Sequence, residues 1–140
     1  MKRFMVEGYA KMWSREVFLV KESRRLSPAV RSVLKAPGVY VLYRDDHPHY
    51  VGKTSRPLFD RIWNHASQPE DGDYRFWNYF SAFAVGQKKH RDEIEGILIA
   101  AMPTTANSSN PKMRRLRLPT RIARALDDRD ILKVKSTTPQ

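Results

Sequence analysis

The order of residue patterns along this 140-residue chain predicts an α+β fold, a small antiparallel or mixed three-stranded sheet flanked by helices. Three observations carry that expectation. Residues 39–43 and Tyr50-Val51 are rich in β-formers and are separated only by the polar run Arg44-Asp45-Asp46-His47-Pro48, as in an antiparallel hairpin. After Pro57, residues Leu58, Phe59, Ile62, Trp63 and Ala66 recur at helical spacing. Residues 76–85 are almost continuously apolar, the pattern of a central strand covered on both faces.

The remaining elements follow in order. Residues 1–26 mix Phe4, Tyr9, Met12, Trp13, Phe18 and Leu19 with bases, and either a strand pair or a helix fits them. Ser27-Pro28 reads as an N-cap and a first-turn proline of a short helix through Ala29, Val30, Val33 and Leu34, which Pro37-Gly38 ends. Residues 67–75 and 104–111 read as polar loops, with a helix over 90–101 between the apolar strand and Pro103. A short helix over 120–126 and a frayed tail over 135–140 complete the expectation. The resulting division is a core over 36–111, an N-terminal extension over 1–35 packing on it, and a basic C-terminal extension and tail over 112–140.

Charge narrows the partners. With 26 Lys and Arg against 15 Asp and Glu, the net charge of +11 favours a polyanion. No apolar run approaches the ~20 residues of a membrane span, and Glu7 interrupts what would be the apolar stretch of an export signal. The absence of cysteine excludes disulfides, thiolate catalysis and cysteine-ligated zinc, and makes a reducing cytoplasm the expected home. Lys112, Arg114, Arg115, Arg117, Arg121 and Arg124 form a run without an acid, suited to contacts with a nucleic-acid backbone. Phe76, Trp77 and Tyr79 lie in the apolar strand and read as core.

Two strings, Gly38-Val39-Tyr40 and Tyr50-Val51-Gly52, would face each other in the hairpin. If Tyr40 pairs with Tyr50 or with Gly52, both phenols share a face; a slip of one residue separates them. Arg61 and His65 stand at i and i+4 on one side of their helix. On the next helix Glu95 falls between Met102 and Ile99 on the helical wheel, with Leu98 beside them. A carboxylate inside an apolar arc needs compensation, by a metal ion or a buried Arg. Asp92 and Glu93 lie outside that arc and read as solvated. Tyrosines, an arginine, a histidine and a glutamate in this order are the residue types that metal-dependent phosphodiester hydrolysis uses. Gly52-Lys53-Thr54 is not a phosphate-binding loop, because His47 stands where that motif needs glycine. His47-Pro48-His49 reads as a solvated turn.

This constellation resembles the GIY-YIG nuclease family. The resemblance runs through Lys53, the helix carrying Arg61 and His65, then Glu95 with Leu98-Ile99, and ends at Pro103 and Asn107; valine replaces isoleucine in both name-giving strings. It implies an endonuclease acting on DNA, with RNA left open, that uses one Mg²⁺ or Mn²⁺ held by Glu95. Tyr40 would take a proton from the attacking water, its pKa lowered by Arg61, Lys53 and the metal. Arg61 would hold the phosphate, Tyr50 and His65 would bond the phosphate or orient the water, and Lys53 would support them. Asn107 would complete the site, with Asn110 as the rival. The alternative is a nucleic-acid-binding module on the same scaffold that does not cut. Oligomeric state is not readable from the sequence.

Overall fold

The computed structural model describes residues 4–22, 25, 26, 28–67, 76–102, 107, 111 and 113–137; of 21, 22, 25, 26 and 129–137 it describes the backbone only. Its elements are β1 (Gly8–Ser14), a 3₁₀ turn (Arg15–Phe18), β2 (Lys21–Glu22), β3 (Arg25–Leu26), α1 (Pro28–Val33), β4 (Gly38–Arg44), β5 (His47–Thr54), α2 (Leu58–Ser67), β6 (Tyr79–Ala84), α3 (Lys88–Ala101) and α4 (Thr120–Thr137). The fold is α+β. Among the described residues no helix is long and apolar enough to cross a membrane.

The main sheet has four strands, not three, in the order β1-β6-β4-β5, and every pairing is antiparallel. The added strand is β1, an edge strand running from Gly8 opposite Ala84 to Ser14 opposite Tyr79. Its alternation is interrupted by a register shift between Ala10 and Trp13, with Met12 at φ 52°. That irregularity is why period-2 reading does not single the segment out. β6 lies at the centre as expected but begins at Tyr79, so Phe76 is 63% exposed and only Trp77 of that approach is core. α4 is longer than the expected turn or two and runs into the region read as a frayed tail.

The sheet divides the core in two. Tyr40, Leu42, Phe80 and Ala82 face α2, where Leu58, Phe59 and Ile62 meet Phe18, Leu34 and Trp77. Val39, Val41 and Val51 face α3, packing with Ile94, Leu98, Ile99 and Met102. Phe18 lies within 5.4 Å, centroid to centroid, of both Phe59 and Phe80, so the N-terminal segment is part of this core. Arg15 ties the same corner together, donating to the carbonyls of Trp77 and Ala66 at 3.2 and 2.8 Å.

The hairpin is closed tightly. Asp45 has φ 56°, and Asn78 accepts from its backbone N–H at 2.7 Å while donating to its carboxylate at 2.9 Å. Gly38 is needed for packing: a Cβ there would overlap the backbone carbonyl of Phe83 on β6.

Candidate active site

The position of both phenols is decided by one residue. From the turn, Arg44 pairs with His47 and Tyr43 with Pro48, but Leu42 then pairs with Tyr50, leaving His49 as an extra residue in β5. Pro48 sits next to this bulge on an edge strand, where a missing N–H is tolerated. Beyond it Tyr40 opposes Gly52. Directly opposed residues share a face, so Tyr40 and Tyr50 both point toward α2. Without the extra residue Tyr50 would oppose Val41 and face α3.

On the α2 face the Tyr40 side chain is fully buried, and its phenol lies 2.7 Å from His65 Nε2. The rings of Tyr40, Tyr50 and His65 form a triangle with centroid separations of 5.5, 5.8 and 6.2 Å. Gly52 makes room for this arrangement, since a Cβ there would overlap the Tyr40 ring. Arg61, one turn before His65, hydrogen-bonds the phenol. The sequence reading has Arg61, Lys53 and a bound metal ion lowering the Tyr40 pKa; with the chain's own groups alone the net effect is the reverse. Burial raises it most, the Tyr50 and Glu95 charges add to that, and Arg61 only partly opposes them. Burial, helped by the Arg61 charge, pushes the His65 imidazole down to about 4. Tyr40 and His65 are therefore a neutral pair near pH 7.

On the α3 face the charges survive. Lys53 Nζ lies 2.8 Å from Asp92 and 3.4 Å from Glu95, and Lys88 holds the other Asp92 oxygen at 2.9 Å. Hydrogen bonds from Lys53 and Lys88 hold the Asp92 carboxyl down at about 2, and Asp92 in turn raises the Lys53 ammonium. Glu95 is 17% exposed, in keeping with its place beside the apolar arc, and its partner is a lysine from β5, neither of the two compensators the helical wheel suggested. Asp92, read as solvated, instead shares that lysine. The Lys88–Asp92 spacing of four was the available signal, but nothing local links either residue to Lys53.

The folded chain thus brings Tyr40, Tyr50, Arg61 and His65 together, with Lys53 and Glu95 around the edge strand from them. Glu95 is close enough to act on the Tyr40 phenol electrostatically. Asn107 stands at the edge strand between Tyr50 and Gly52: its amide accepts from Val51 N–H at 3.0 Å and donates to Val51 C=O at 2.6 Å, closing the free edge of β5. Asn110, its rival, lies outside the described residues, as do Pro103 and Lys112. Arg114, Arg115, Arg117, Arg121 and Arg124 are all exposed. Their segment starts beside the site, because Gly96, with no side chain, lets Pro111 and Met113 lie against α3 one residue from Glu95.

Both carboxylates offer oxygen donors one turn apart on α3, and a cation, the Lys53 ammonium, already stands between them. That donor chemistry fits a hard divalent ion. Among the described residues no three His, Asp or Glu side chains gather into a site that would hold a metal alone. No family model, curated protein or solved structure matches the chain.

Proposed function

We propose that the chain is a divalent-metal-dependent endonuclease of the GIY-YIG type, hydrolysing DNA phosphodiester bonds in the cytoplasm. The observation that carries this reading is the meeting of Tyr40, Tyr50, His65 and Arg61 beside the Lys53–Glu95 pair. The exposed arginines, whose segment follows Pro111 and Met113 where these pack on Gly96 of α3, suit a phosphate backbone, and the absence of cysteine suits a reducing compartment.

Glu95, with Asp92 beside it, would hold one Mg²⁺ or Mn²⁺, the other donors coming from water and substrate; when bound, the ion neutralises charge on the phosphate and on the departing oxygen. The chain's own groups handle the proton. In the tautomer with Nε2 bare, the Tyr40 hydroxyl donates to His65. As water attacks phosphorus and the bond from phosphorus to the departing ester oxygen breaks, the water proton passes to the Tyr40 oxygen while the phenolic proton passes to His65 Nε2. The departing oxygen takes a proton from solvent, to which His65 later returns its own. The relay forms no free phenolate; the imidazolium it forms instead, which burial and the Arg61 charge disfavour, is offset by the negative charge that builds on the phosphate. Arg61 holds a non-bridging phosphate oxygen and counters charge as it builds.

A second reading is favoured by one observation: Glu95 is already neutralised by Lys53, as in a scaffold that binds nucleic acid without cutting it. The deciding assay is cleavage of single-stranded, duplex, branched and flapped DNA with Mg²⁺ or Mn²⁺. Wild type should nick or cut at least one form. Glu95→Ala and Tyr40→Phe should each lower turnover by about 10²–10⁴-fold while DNA affinity is kept. Salt-dependent binding with no cleavage of any form would establish the binder instead.

A further inference from the structure

An open cleft of about 290 Å³ lies between the end of β5 and the first turns of α2, with Arg61 in its wall. Lys53, Thr54, Ser55, Arg56, Arg61 and Asn64 line it, and among the described residues Asp60 is its only acid. Among the described residues no aromatic or aliphatic side chain contributes a wall, so they offer nothing for a base to stack on and many donors for an anion.

Its charges are not equivalent. Asp60 leans to Arg31, 3.6 Å away, and Lys53 is neutralised by Asp92 and Glu95. Arg61 reaches the Tyr40 phenol from one end of the cleft. Arg56 has no ion-pair partner among the described residues. Its backbone N–H donates to Thr54 Oγ1 at 3.0 Å, which fixes the turn that carries it. Two guanidinium groups therefore bound one polar cleft, and only Arg61 touches the proposed reacting centre. An anion held by Arg56 would sit next to, and separate from, one held by Arg61.

We infer that this cleft is a subsite for the phosphate neighbouring the scissile one, with Arg56 as its anchoring cation and Ser55 and Asn64 as donors. Its position relative to the scissile bond rests on the nuclease reading; its preference for phosphate rests on the cleft itself. Adjacent phosphates of one strand are then held by Arg61 and by Arg56, and a substrate with two phosphates in sequence gains a contact that a single phosphate lacks.

The test is calorimetric titration of the metal-free protein with inorganic phosphate, thymidine 5′-monophosphate and thymidine 3′,5′-bisphosphate. The bisphosphate should bind about tenfold more tightly than the monophosphate, as one charge-assisted contact allows. Arg56→Ala should erase that advantage and Arg56→Lys should restore part of it. Equal binding of bisphosphate and monophosphate by wild type, or an advantage that survives Arg56→Ala, overturns the subsite. Inorganic phosphate binding as tightly as the bisphosphate also overturns it, in favour of a free-anion site. Plasmid nicking by wild type with Mg²⁺ or Mn²⁺ separates the two proposals. A bisphosphate advantage without nicking removes the catalysis and keeps the subsite; nicking without the advantage does the opposite.

Discussion

The face of the sheet that meets α2 and the face that meets α3 accommodate polar residues in opposite ways. Beneath α2, Tyr40 and His65 lie in the core, and burial moves each pKa toward its neutral form, so a hydrogen bond joins two uncharged groups. Beneath α3, Lys53 and Asp92 sit at the margin of the sheet and keep their charges by pairing, with Glu95 3.4 Å from the same ammonium. Depth makes the difference: a buried unpaired ion is costly, whereas an ion pair near solvent costs little and contributes little. One edge strand separates a pair suited to passing a proton from a group suited to holding a cation.

The comparison is most easily broken with acid, which should act on the two faces in separate pH windows. His65 titrates at about 4 when folded against an ordinary value of 6.5, so the unfolded chain binds the extra proton first. Its contribution is fully present above about pH 6.5 and is lost as pH falls toward 4, an effect of roughly 3 kcal/mol. Urea unfolding at pH 7 and 4.5 should show that loss, and His65→Gln should flatten it. Asp92, held at about 2 against 3.8, acts only below that window, where stability falls as pH drops toward 2.

Gly52→Ala tests the packing on the α2 face. The new methyl meets the Tyr40 ring, and a loss of about 2 kcal/mol in thermal or urea unfolding is expected. An unchanged midpoint would show that the ring has room to move. Asn107→Ala removes two hydrogen bonds to Val51 and should cost roughly 1–2 kcal/mol of stability, with turnover far less affected than by Glu95→Ala. A loss of turnover without loss of stability would return Asn107 to the catalytic group. The smallest effect belongs to the α3 margin: in Asp92→Asn the Lys53 ammonium, raised chiefly by Asp92, should titrate closer to its ordinary value by NMR.

Elements whose signal is local were legible in the sequence. The hairpin, α2, α3 and the central β6 all announce themselves by periodicity or by a run of β-formers. β1 did not, because its partners are some 70 residues away (Gly8 opposite Ala84) and its own alternation is broken at Met12. The site shows the same division. Tyr40, Tyr50, Arg61, His65 and Glu95 were readable as residue types in order. The lysine that compensates Glu95, and the carboxylate that shares it, come from strands and helices about 40 positions apart (Lys53 to Asp92, 39 residues).

By itself the sequence determined the hairpin, α2, α3 and the central strand, since period and propensity are properties of neighbours in the chain. It also determined the charge available to meet a polyanion. Tertiary structure alone decided that both phenols point toward α2, because a single bulged residue, His49, sets the register and every side chain beyond it changes face with that count. It also decided that burial holds Tyr40 and His65 toward their neutral forms while pairing holds Lys53 and Asp92 as ions, because burial and pairing arise only when distant segments pack together.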